Sequence, residues 1–438
     1  MEEQTFNTGS LQPQRRTRSK SQVFKEDYLP FVIIAVALIL IIWIIIGSVV
    51  RSTQHKRYQN EILQQESVAA QETQAALEAE IAVLLAEAAV LAEEFDFNGA
   101  IAVLNHFSGN MQDFPDLSAK YAEYASKVSN YELWEDPSKV LNLSFHPLIA
   151  DSNRGLSDVF YANNYITTTE FNNILLNLYE NGYILIRYND LISSDGKMRI
   201  FIPKGKKPLI ITETQVNYNT SPGKGFANRL VVDDNGNLAC EMVDRSGNTV
   251  TGAYDIVPIL EAFIKEHEDF SYRGARAVLA LTGYQGLFGY DTNTDPQQAE
   301  SAKKVIAAVK KAGYELACYS YENEPYGTLT AAQIKQEMEL WKKEVTPLLG
   351  NISLFVMCRN SDIAENSVPY SGEKYEVLKS YGFTDFIGFS KDGERWFSAN
   401  DGHNRMGRVL VTGYNLQNSS QWYEGAFDSF SVQDPLRR

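Results

Sequence analysis

Three hydrophobic patterns run along this chain, and each marks a different kind of element. Residues 29–50, LPFVIIAVALILIIWIIIGSVV, are apolar on every side and carry no charge. As a helix this run is about 33 Å long, enough to cross the hydrocarbon core of a bilayer. A cleaved signal peptide would have a shorter apolar stretch and a small-residue cleavage site, whereas RSTQHKR follows directly here. Residues 58–133 then carry a helical period. Leu77, Ile81, Leu84, Ala88, Leu91 and Phe95 step by four and three along one stripe of an Ala-, Glu- and Gln-rich run. The pattern restarts at FDFNGAIAVLNHF after a polar break, and a third amphipathic run, PDLSAKYAEYASKVSNY, follows. Three helices with short connections resemble one tetratricopeptide-like hairpin. As a stalk they could be a spacer, a dimerising coiled coil that would make a homodimer, or a partner-binding surface.

From Val140 onward the period switches back and forth between two and 3.6. KVLNLSFHPLI, ILIRYNDL, PLIITETQ, ARAVLALTG, YELACYS, ISLFVMCR and TDFIGFS read as strands. Between them lie helical runs such as ITTTEFNNILLNLYENGY, opened by a capping box at Thr167 and Glu170. Regular alternation predicts an α/β domain with a parallel sheet and right-handed crossovers, open or closed into a barrel. RLVVDDNGNLACEMVDRSGNTV interrupts the rhythm as an inserted β-hairpin around Asn235-Gly236. The expected organisation is a disordered cytoplasmic tail (1–28), a transmembrane helix (29–50), a helical stalk (51–135) and the α/β domain (136–438).

Charge refines this picture. Arg15, Arg16, Arg18, Lys20 and Lys25 precede the apolar helix, and Arg51, Lys56 and Arg57 follow it. The basic bias puts the N-terminus in the cytoplasm, so a single-pass protein of the cell membrane with its C-terminal domain outside is expected. The net charge of −15 would repel phosphate, which excludes nucleic acid as a partner. Only three cysteines occur, Cys240, Cys318 and Cys358, so no disulfide framework and no CxxC zinc pattern is present. Cys318 and Cys358 end strands that could lie side by side, and read most simply as small buried residues.

The order and wording of residues 140–435 resemble the polysaccharide deacetylase (NodB-homology) family, a distorted (β/α) barrel. The matching pieces include the first strand with its Phe145-His146 lip, TTEFNNILLNLYENGY, the strand leading to residues 212–215, CYSYEN, VTPLLG, GEKYEVLKSYGF and NRMGRVLVTGY. The preceding helices also resemble membrane-anchored members. In that family the second lip reads Thr-x-Asp-Asp, a general base followed by a metal ligand, and a later His-x-x-x-His gives two more ligands. The resemblance implies metal-assisted hydrolysis of an acetamido group. Here the first motif falls on Thr212-Glu213-Thr214-Gln215 and the second on Tyr319-Ser320-Tyr321-Glu322-Asn323. Thr214 thus stands at the base position, and Gln215, Tyr319 and Asn323 stand at the metal positions. The family's third loop falls on Met357–Asn360 and departs as well.

A catalytic zinc site needs about three His, Asp or Glu donors and an open position. Neutral amides and a protonated phenol do not supply them, so no cofactor is expected and the family's divalent metal is expected to be lost. The reading that follows is a non-catalytic, deacetylase-like protein of the cell envelope that binds wall glycan or scaffolds envelope proteins. Its alternative is a working carbohydrate deacetylase, cleaving a C–N bond through an altered site. Tyr218, Tyr319, Tyr321 and Trp396 are candidate sugar-stacking residues. Gln215 and Asn323 are candidate donors to an acetamido carbonyl. Glu213, Glu322 and Glu324 could in principle form a rebuilt carboxylate site, but strand alternation turns Glu213 away from Thr212 and Thr214. His146 and His403 read as hydrogen-bonded structure before they read as ligands.

Overall fold

The computed structural model describes residues 29–192, 198–218, 224–400 and 402–438. The expected cytoplasmic tail, 1–28, lies outside the described residues. The apolar run continues without interruption into the Ala/Glu/Gln-rich run, because no residue between them breaks a helix. They form one helix, α1 (Leu29–Glu93). Its apolar segment has a mean hydropathy of 3.3 over eighteen residues and is unburied, long and apolar enough to cross a membrane. It is a candidate membrane anchor near the N-terminus.

The chain divides into two compact units at Glu80/Ile81, within α1. Ile81, Leu84 and Ala88 of the predicted stripe are buried and belong to the second unit. There α2 (Phe97–Leu104) and α3 (Pro115–Val128) follow. Asp96 opens α2 by accepting from the Gly99 amide at 3.1 Å. Phe97 packs against Tyr124 and Tyr131, with ring centroids 5.8 and 6.2 Å away. The end of α1 is tied to the α/β part at Arg273, whose amide donates to the Glu94 carbonyl at 2.6 Å. The Arg273 guanidinium lies 3.1 Å from Asp96.

Seven parallel strands then close into a barrel. They are β1 (Leu141–Phe145), β2 (Lys207–Thr214), β3 (Val278–Leu281), β4 (Glu315–Cys318), β5 (Leu354–Val356), β6 (Asp385–Phe389) and β7 (His403–Leu410). Each pairs with the next in sequence, and β7 pairs with β1 to complete the ring. Helices α4 (Thr168–Glu180), α5 (Ile256–Glu266), α6 (Pro296–Ala312), α7 (Ala331–Leu340) and α8 (Glu373–Ser380) occupy the first five connections. The last connection is a strand instead: Phe397–Asn400 runs antiparallel to β7. The capping box is present in both halves at Thr167 and Glu170. Gly313, at φ 101°, ends α6 in the left-handed conformation that glycine tolerates.

Two expected strands come out differently. ILIRYNDL gives only Tyr183–Leu185, which pairs with β2 outside the ring. The inserted hairpin, Arg229–Val232 with Leu238–Val243, gains a third strand, Thr249–Gly252. Both turns of this small sheet follow one design: Asp233 and Asp244 each accept amides from the following turn, and each turn carries a left-handed glycine, Gly236 or Gly247.

Alternation along the barrel strands splits the core into two layers. The barrel interior holds Ile210, Val278, Ala280, Ala317, Tyr319, Val356, Cys358, Ile387 and Met406. The layer between barrel and helices holds Leu143, Phe145, Ile211, Leu279, Leu281, Cys318, Phe355 and Phe386. Cys318 thus ends β4 in the outer layer, while Cys358, two residues past the neighbouring β5, lies in the interior layer, and both are free.

Candidate functional site at the C-terminal mouth of the barrel

The C-terminal ends of parallel strands are where α/β barrels assemble sites. Here those ends carry concentrated backbone strain. Ten non-glycine residues among those described have positive φ, and six of them lie on three lips. Gln215 and Tyr218 follow β2, Ser320 and Asn323 follow β4, and Arg359 and Asn360 follow β5. Each left-handed non-glycine residue costs on the order of 1 kcal/mol or more, and persists only where surrounding structure fixes it.

Within the mouth, Thr212 and Thr214 point inward from β2. The Thr212 hydroxyl donates to Asn142 Oδ1 at 2.9 Å, and the Thr214 hydroxyl donates to the Phe145 carbonyl at 3.0 Å. Thr214 Oγ1 also lies within hydrogen-bond distance of His146 Nδ1, at 2.8 Å. Burial, together with the charge of Arg408, pushes His146 down to about 4, so the ring is neutral near pH 7. Tyr319 reaches into the same place. Its phenol oxygen accepts the Arg359 amide at 3.2 Å and lies beside Thr214 and Arg408. Burial raises the phenol above its ordinary range, so it stays protonated.

Arg408 of β7 went unread in the sequence. It is 1% exposed, and its guanidinium donates to the carbonyls of Ile387, Gly388 and Met357 at 3.3, 2.9 and 2.7 Å. Three β-strands thus meet over one buried cation. The sequence held a signal for it: in RMGRVLV, period two puts Met406 and Arg408 on one face, and Met406 lines the barrel interior.

The candidate sugar-stacking residues fall in different places. Tyr218, Tyr319, Tyr321 and Trp396 are 4, 1, 5 and 4% exposed, so none offers a ring face to solvent. Tyr319 is inside the barrel. Tyr218 lies in the outer layer, its hydroxyl 3.8 Å from Cys240 Sγ. Tyr321 also packs in the outer layer, against Gly283 and Val345, and its phenol donates to the Glu344 carboxylate. Trp396 lies on the outer face over Gly388 and Gly407, where any Cβ would collide with its ring. The Arg405 guanidinium sits between that ring and Tyr370, 5.0 and 3.8 Å from their centroids, and pairs with Asp362 at 3.0 Å. Gln215 and Asn323 are half-buried at their lips. Asn323 Oδ1 has no hydrogen-bond partner among the described residues.

The other candidate groups are accounted for structurally. Glu213 points outward, as alternation requires, and is buried against Asp255. Glu322 is exposed. His403 stacks on Tyr370, its Nε2 accepting the Tyr370 amide at 2.9 Å. The donor chemistry at the mouth does not fit a resident divalent metal. It comprises one protonated phenol, two amides, one hydroxyl and a single imidazole, His146, with no carboxylate and with a fixed cation beside them. Among the described residues, no three His, Cys, Asp or Glu side chains converge on a point.

No protein-family model matches the chain, and no curated protein matches it. Among solved structures it is similar to the Streptococcus pyogenes deacetylase PplD in complex with acetate, at 12% identity and a TM-score of 0.38, over 64% of this chain and 97% of that one. It is similar to the same degree, 12% and 0.38, to a de-N-acetylase from Aggregatibacter actinomycetemcomitans, over 63% of this chain and 95% of that one. A putative polysaccharide deacetylase from Mycobacterium smegmatis is also similar, at 13% identity and a TM-score of 0.24, over 36% of this chain and 45% of that one. The closed ring of seven parallel strands with surrounding helices is itself a (β/α) barrel.

Proposed function

We propose that this protein is a non-catalytic, deacetylase-like barrel held at the cell membrane, its C-terminal domain facing the cell envelope. One observation carries the reading. The positions that resemble the family's base and metal ligands hold Thr214, Gln215, Tyr319 and Asn323, and Tyr319 fills the mouth from inside. Thr214 is a hydroxyl whose neighbours are a backbone carbonyl and one neutral imidazole, so the base position carries no carboxylate. The strained lips support a barrel descended from a working site, since such strain clusters where chemistry is done.

With the stacking tyrosines buried, scaffolding of envelope proteins is the better supported form of the function. Glycan binding is the second form, favoured by the half-buried Gln215 and Asn323 amides at the rim. The test is titration of the full chain in detergent micelles with N-acetylated chitooligosaccharides and peptidoglycan fragments, followed by NMR and by acetate assay. No acetate release and no saturable shifts are expected from a scaffold. Saturable shifts at Gln215 or Asn323 without acetate would establish the glycan form, and acetate release would overturn the reading.

A further inference from the structure

The mouth of the barrel lacks the carboxylates and the histidine pair of the family pattern, yet it has not been left neutral. A guanidinium is buried there whose partners are backbone carbonyls of Met357, Ile387 and Gly388, at the ends of β5 and β6. Among the described residues, no carboxylate pairs with it directly. Asp362, the acid that acts on it, pairs with Arg405 instead. Arg408 Nε has no partner among the described residues. The guanidinium adjoins the Tyr319 phenol, and its field reaches His146 and Cys358. These three groups come from the lips of β4, β1 and β5, so the charge sits centrally.

We propose that Arg408 is a built-in cation standing in for the divalent metal of catalytic deacetylase barrels, and that its charge closes the mouth to metal independently of the lost ligands. This rests on reading Tyr319 as a former ligand position. A divalent ion placed among Gln215, Tyr319 and Asn323 would approach a fixed positive charge in a water-poor interior, where repulsion is poorly screened. The carbonyl dipoles of β5 and β6 that bind Arg408 are also turned inward and consumed by it. In this account two changes hold each other in place. Loss of the ligands left a cavity with no cation, and a cation carried on β7 fills it while tying β7 to β5 and β6.

The experiment uses the full chain in detergent micelles and zinc as the probe. The fourfold variant Thr214→Asp, Gln215→Asp, Tyr319→His, Asn323→His restores ligand types alone. Adding Arg408→Met removes the charge, and adding Arg408→Lys keeps a charge with a different shape. The Met-containing variant is expected to bind zinc at least about a hundredfold more tightly than the fourfold or the Lys-containing variant. Equal affinity of the fourfold and Met-containing variants, or no zinc binding by the latter once its fold is verified by circular dichroism, would overturn the proposal. The single variant Arg408→Met reads the same charge without ligand engineering. His146, followed by NMR, is expected to titrate at least about half a unit higher, and an unchanged His146 would likewise overturn it. Stoichiometric zinc in the natural chain would instead overturn the vacated-site reading beneath it, so the two failures are distinguishable.

Discussion

Glu213 and Asp255 form a buried acid pair whose cost depends on pH, and Glu213→Gln exposes it. Both residues are fully buried outside the barrel, bordered by Tyr218, Cys240 and Tyr314. Asp255 Oδ1 accepts the Leu148 amide at 2.9 Å. Asp255 Oδ2 and both Glu213 oxygens have no donor among the described residues. Two carboxyl groups so placed are compatible only when they share a proton. Burial raises Asp255 from 3.8 to about 6, and burial plus Asp255 raise Glu213 well above 4.5. Groups raised in the folded state contribute stability that is complete below pH 4 and lost as pH rises through the folded values. For the pair this contribution is lost as pH rises from about 4 through the raised folded values, so it is largely gone by pH 8. A glutamine has the same shape, adds an amide donor toward Asp255 Oδ2 and removes one ionisable group. Glu213→Gln should therefore match the natural protein near pH 4.5 and exceed it by about 1–3 kcal/mol at pH 8. Urea unfolding of the full chain in micelles, followed by tryptophan fluorescence at both pH values, measures this. A variant less stable than the natural protein at pH 8, or with the same pH slope, would refute the reasoning.

The acid limb has a different origin. His146, lowered from 6.5 to about 4, should cost about 3 kcal/mol as pH falls from 6.5 to below 4; His146→Gln should flatten that limb in thermal melts, and an unaltered limb would count against a neutral His146. Trp396→Ala should destabilise by about 3–5 kcal/mol, because Trp396 covers Gly388 and Gly407 and stacks on Arg405. A loss below 1 kcal/mol would show that the ring is dispensable to the outer core. External protease added to intact cells should remove the barrel, and a protected barrel beside a digested external control would reverse the proposed orientation.

Much of the fold was legible because its signals are local. The capping box at Thr167 and Glu170, the β-branched run of Lys207–Thr214 and the polar break at Asp96 each act within a few residues. Closure of the ring was not legible, since it depends on β7 meeting β1 across more than half of the domain. The third strand of the insert, TVTG, is too short and polar to announce itself before Cys240 and its neighbours pair with it. At the mouth, sequence position gave the lips but not the facing of their side chains. Left-handed residues at Gln215 and Tyr218 break the alternation after β2, so nearness to Thr214 does not put Tyr218 in the mouth. Trp396 follows β6 closely in sequence but is held on the outer face by two glycines. Arg408 was hidden by its context, a strand with two arginines, HNRMGRVL, in which a charged residue reads as a surface position until the barrel closes around it.

A mouth built in this way should neither hold a metal nor hydrolyse an acetamido group. Elemental analysis of the full chain, purified from membranes without chelators, tests this most directly. No stoichiometric zinc, cobalt or nickel is expected. One such metal per chain, removed by chelation together with acetate release from N-acetylated oligosaccharides, would contradict it.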